Sequence, residues 1–288
     1  MLLRDAVDDF LNYQRNRKSR AETTITTYRS MLGFFVSFAG NIRVEQITVR
    51  LIDCYADSLH LKPKSLKNRL TAVRSLIAWL YSRNYIDIRP QSVDIPCVPE
   101  TEANFLDYNE QHALVEACCD TRERALVLLL LRSGLRISEA MALRRDDVFE
   151  RSIVVRHGKG DKPRLGFLTE EAAQALDHYL QESESDYCFS SELGKPLSRQ
   201  YAHRMIVTVA DRAGIKKSVH PHTLRHTFAT NMLRAGARIE DVQKMLGHKK
   251  VQTTLIYMHF TDEYLQSRYE EFAEVERPLE ARLKLQNA

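Results

Sequence analysis

No apolar run in this 288-residue chain is long enough to cross a bilayer. The longest, residues 125–131, falls far short of the roughly twenty residues a membrane helix needs. The first residues are charged, so no apolar leader segment is read there, and the expected location is the cytoplasm. Cysteine is scarce. Cys54, Cys97, Cys118, Cys119 and Cys188 form no C-x-x-C pair, which argues against a disulfide framework and against a cysteine-rich zinc site. The five are expected to be buried packing residues. Internal repeats and low-complexity tracts are also missing, which leaves a non-repetitive globular chain.

What is present fits two domains, because a single core usually stops growing below this length. Hydrophobic residues make up 44% of the chain and charged residues 28%. The formal charge of +4 is unevenly spread. Residues 1–99 hold fifteen Lys and Arg against nine Asp and Glu, a net +6, whereas residues 262–288 carry a net −3. A nucleic-acid surface is a local property, and the basic excess here is N-terminal.

Periodicity predicts helices over 2–16 (Leu3, Val7, Phe10, Leu11) and 22–38 (Ile25, Tyr28, Leu32, Phe35), the second ended by Gly40. Thr48 is read as the N-cap of a third helix to residue 59. Ser65 is read as the N-cap of a fourth carrying Leu66, Leu70, Val73, Leu76 and Leu80. This four-helix unit occupies 1–88. Pro90, Pro96 and Pro99 make 89–104 an extended linker. Helices are then expected at 107–117 and 124–132, and a hairpin at 152–156 and 164–168 around a loop holding Lys159. Further helices are expected at 169–182, 198–213, 223–235, 239–246, 253–259 and 262–275, with 276–288 left as a tail. The fold class is mainly α with a small β-hairpin or sheet.

Metal-free cleavage of a phosphodiester needs cations or donors on the non-bridging oxygens, a nucleophile, and proton donors and acceptors for the bridging oxygens. Residues 105–275 can supply each. Arg136 follows a helix-breaking Gly134; taken alone, it reads as a structural arginine paired with Glu139 one turn on. His222 and Arg225 share a face at a helix start, where anions such as phosphate are favoured. A solvated cap is the bland alternative. Zinc on His220, His222 and His226 is a third, without the glutamate of an H-E-x-x-H arrangement. His248 follows Leu246-Gly247 at a helix end, and Tyr257 sits on a short helix begun by Thr253-Thr254. Lys159 alone would be a turn lysine, and Tyr257 alone a packed tyrosine.

Together, in this order and spacing, these residues resemble the catalytic domain of the tyrosine recombinases, the phage integrase family. The helices before them resemble that family's core-binding domain. Ser133-Gly134-Leu135-Arg136-Ile137-Ser138-Glu139, the Leu-Gly-His segment and the short two-domain plan are similar to those of Xer-type recombinases. The resemblance implies that Arg136 and Arg225 bind the phosphate, that Lys159, His222 and His248 assist, that Glu139 supports the first arginine and that Tyr257 is the nucleophile. It implies a C-shaped clamp on a double-stranded DNA recombination site and a homo-tetramer on DNA, with a paralogous recombinase as a possible partner. It further implies nucleoid association, no cofactor and no metal. A type IB topoisomerase and a non-catalytic DNA-binding factor are the alternatives.

Overall fold

The computed structural model describes residues 1–98, 104–156, 163–182 and 184–247. The chain divides into two compact units, Met1–Glu100 and Thr101–Ala288. The expected mainly helical class is observed.

In the first unit four helices, α1 (Leu3–Asn16), α2 (Glu22–Ala39), α3 (Val49–Ser58) and α4 (Pro63–Tyr81), surround one core. Their apolar stripes supply Phe10, Leu11, Ile25, Leu32, Phe35, Leu76 and Ile77, all essentially inaccessible to water. Thr48 caps α3 as expected, its side chain accepting from the Leu51 N–H at 3.1 Å. Ser65 does not cap α4. The helix begins at Pro63, whose fixed φ suits the first helical position and whose missing N–H costs nothing there. The proline-rich stretch that follows forms a 3-10 turn at Pro90–Ser92, and Val93 is buried against this core.

The second unit is organised around α6 (Thr121–Ser133), in which residues 125–131 are buried on every side. A helix apolar all round has to be central. Packed about it are α5 (Tyr108–Glu116), α7 (Ile137–Ala142), α8 (Glu170–Leu180), α9 (Arg199–Arg212) and α10 (Pro221–Arg234), with α11 (Ile239–Leu246) against α10. The sheet is an antiparallel meander of β1 (Val148–Phe149), β2 (Ser152–Val155) and β3 (Arg164–Phe167), one strand more than the expected hairpin. Neither two-residue β1 nor six-residue α7 carries enough periods to register as a pattern. α6 starts three residues before the expected 124 because Asp120 accepts from the Glu123 N–H. The expected helices at 253–259 and 262–275 lie outside the described residues.

The cysteines are not all buried. Cys188 is, but Cys54 faces outward from α3, Cys97 lies beyond the 3-10 turn, and Cys119 is exposed in the turn between α5 and α6. Their positions follow the stripes of neighbouring residues, not their own weak hydrophobicity.

Gly134 ends α6 at φ +64°. A Cβ there would run into the Phe228 ring and Leu246. Gly214, at φ +69°, has open space around it. Gly134→Ala should therefore cost about 2–4 kcal/mol, the left-handed penalty plus overpacking, and Gly214→Ala only about 1–2 kcal/mol. Urea unfolding of the two variants checks this ordering.

Candidate phosphate-binding site

Arg136 is carried from the left-handed end of α6 to the N-cap of α7. There its backbone N–H donates to Glu139 Oε2 at 2.8 Å and its Nη1 donates to Oε1 at 2.7 Å. The bland reading of a structural Arg136–Glu139 pair is thus correct in geometry, yet the pair is not isolated. Arg225 Nη1, from α10, lies 3.9 Å from Glu139 Oε2. Arg225 also donates to the carbonyls of Gly134 and Leu246, so this one guanidinium ties together the ends of α6 and α11 and the start of α10. A third arginine, Arg164 on β3, donates from Nη2 to Glu139 Oε2 at 2.8 Å. The Glu139 side chain is only 3% exposed.

Three guanidiniums on one carboxylate leave a local excess of positive charge in a largely dry place. Cations gathered in this way favour an anionic ligand, and Arg136 keeps 23% of its side chain exposed.

His222, the second residue of α10, lies within electrostatic reach of both Arg225 and Arg136. Partial desolvation first, then His220 and the two arginines, lowers its imidazole below the ordinary value. It is therefore neutral near pH 7 and able to accept a proton. His220 caps α10 through Nδ1, which accepts from the Thr223 N–H at 3.2 Å. This moves the helix start to Pro221, ahead of the expected 223. With His220 committed to the cap, the three histidines do not converge as a metal site. Among the described residues no group of three His, Cys, Asp or Glu is placed to hold a metal ion.

Glu139 and His222 stand on the wall of a groove of about 1310 Å³ whose other lining includes Arg144, Arg156, Arg199 and Arg204. All four of these arginines are exposed. Exposed cations on the lining of an open groove raise the local concentration of anionic ligands. Lys159, His248 and Tyr257 lie outside the described residues. Arg164 was missed by sequence reading. The signal that could have found it is the exchange of faces along β3, where Arg164 and Gly166 point inward and Leu165 and Phe167 outward.

The sequence profile of the phage integrase family matches residues 104–264, and that of the phage integrase N-terminal SAM-like domain matches 7–84. The tyrosine recombinase XerC of Xanthomonas axonopodis pv. citri is 33% identical, over 92% of this chain and 95% of its own. The tyrosine recombinase XerD of Listeria innocua is 29% identical, over 94% and 99%. Among solved structures the XerA recombinase is 33% identical, with a TM-score of 0.56 over 96% of this chain and 99% of that one. A lambda integrase dimer bound to a core site has a TM-score of 0.77 at 16% identity over 91% and 98%, a likeness of fold.

The His226 imidazole, further along α10, is pushed down to about 4 by burial and then by His222, His220 and Arg225. Unfolded, it would titrate near 6.5, so between the two values the unfolded chain binds the extra proton. Folding stability should fall as pH drops from about 6.5 to about 4. Unfolding midpoints across that window should show a shallower slope for His226→Gln than for the wild type.

Proposed function

Because the chain belongs to the phage integrase family, we propose that it is a site-specific DNA recombinase of Xer type. In this reading it cleaves and rejoins duplex DNA through a 3′-phosphotyrosine link. The observation that carries the proposal is the buried Glu139 gathering Arg136 and Arg225, with Glu139 and His222 both lining a groove that also holds exposed arginines.

The chemistry follows from the residues. The Tyr257 oxygen attacks the scissile phosphorus, a P–O bond to tyrosine forms, and the bond to the 5′-oxygen breaks. Arg136, Arg225 and His248 hold the charge that builds on the non-bridging oxygens. An unperturbed tyrosine titrates near 10. His222, neutral at working pH, takes its proton, and Lys159 gives one to the departing 5′-oxygen. The phosphodiester energy stays in the protein–DNA link, so the reaction needs neither ATP nor a metal. Reversal by a second 5′-hydroxyl rejoins the strand. Four protomers on two DNA sites would exchange strands in turn through a four-way junction.

Tyr257→Phe should bind DNA yet form no covalent adduct on a nicked duplex that traps the cleaved state. An adduct from that variant would assign the nucleophile elsewhere. Lys159→Ala should cleave slowly on an ordinary duplex and recover when sulfur replaces the 5′-bridging oxygen, because a thiolate leaves without a proton. Relaxed circles without recombinant product would point instead to topoisomerase activity.

The N-terminal unit should supply much of the affinity. Lys62, Lys64 and Lys67 are exposed around the first turns of α4 and belong to the +6 region. Replacing all three by alanine should flatten the plot of log affinity against log salt by about 0.9 for each phosphate that is no longer neutralised. An unchanged slope would place the DNA-binding cations elsewhere.

A further inference from the structure

β3 breaks a local rule. In a strand that covers a core, apolar residues face inward and charges outward. Here Leu165 and Phe167 are 56% and 58% exposed, whereas Arg164 and Gly166 take the inward face beside Ile153 and Val155. The register depends on Gly166, since a Cβ at that position would stand 2.9 Å from Ile153 Cγ1. A guanidinium therefore occupies a place that an aliphatic side chain would fill at lower cost.

Arg164 is also poorly satisfied there. Its side chain is 13% exposed and donates from Nη2 to Glu139, but Nε and Nη1 are buried without a hydrogen-bond partner among the described residues. A buried donor left without a partner is destabilising. The group also occupies the space beside Gly247, the left-handed C-cap of α11, where an added Cβ would meet Nε at 2.8 Å. Burial and the like charge of Arg136 both disfavour its charged form. Stability alone does not account for an arginine in this position, and rule-breaking of this kind concentrates at functional sites.

We propose that Arg164 is a positioning residue of the strand-transfer site. Acting through Glu139, it fixes the carboxylate that aims Arg136, and it holds the arginine cluster one positive charge above what Arg136 and Arg225 supply. Glu139 Oε2 accepts from Arg164 and from the Arg136 backbone, and Oε1 accepts from the Arg136 side chain. With Arg164 gone, the carboxylate is free to rotate toward Arg225. Arg136 then loses its fixed direction, while Glu139 keeps two cations and the fold is retained. The proposal rests on the phosphate-site reading above.

The test is single-turnover adduct formation at saturating nicked duplex, with DNA affinity and unfolding midpoint measured on the same full-length proteins. Arg164→Met should lower the cleavage rate by about 10- to 100-fold, the effect expected of a misdirected phosphate ligand. Its DNA affinity should be unchanged and its unfolding midpoint equal to or above that of the wild type. Arg164→Lys, which retains the charge and one donor toward Glu139, should lie between the two rates. In the presence of Glu139→Gln, Arg164→Met should cause little further loss, because both act through one carboxylate. A wild-type rate in Arg164→Met, loss through DNA affinity, or full additivity with Glu139→Gln would each overturn the proposal. If the Met variant fails to fold, the Lys variant decides alone, with a wild-type rate as the contrary result. A wild-type protein that forms no adduct would defeat the functional reading itself, whereas a wild-type adduct matched by Arg164→Met would defeat only this inference.

Discussion

One buried carboxylate organises the second unit's chemistry. Glu139 accepts from Arg136 and Arg164 and stands 3.9 Å from Arg225, with almost no access to water. Like charges gathered around one group repel one another. Without the carboxylate the guanidiniums would lose the one acidic group they share, and removing one partner of a buried ion pair is strongly destabilising. With it, they stay close together.

The surrounding elements serve this arrangement. α6, wholly buried along 125–131, forms a rigid base, and its left-handed exit at Gly134 both delivers Arg136 and offers a carbonyl to Arg225. The same glycine lets Phe228 and Leu246 close over the turn, so α10 and α11 are packed where their polar groups are needed. Stability and function meet at a single backbone position. They diverge on β3, where exposed Leu165 and Phe167 accompany an inward Arg164.

Much of this was legible beforehand. The stripes of α1, α2 and α4 were readable from spacing alone, and Thr48 caps the helix it was assigned to, whereas Ser65 does not. Arg136, Glu139, His222 and Arg225 were identified as a set because order and spacing restrict them jointly, and the structure brings the three charged members together with His222 nearby. Short elements were not legible. Two-residue β1 and six-residue α7 offer too few periods, and a cysteine takes its exposure from its neighbours.

The sequence by itself determined the helical class, the N-terminal concentration of positive charge and the residue types available for phosphate chemistry, because these depend on composition and on spacing within single elements. Only the tertiary structure decided that three arginines share one carboxylate, that His220 is spent on a cap and that Arg164 belongs to the cluster. Those facts depend on which face of β3 turns inward and on where the ends of α6, α10 and α11 meet. The hydrogen bond from Arg225 to the Gly134 carbonyl joins residues 91 positions apart, and no local pattern encodes it. The reason is energetic: a strand's facing is set by what its partner must bury, and Ile153 claims the space above Gly166, which carries Arg164 inward on the same face.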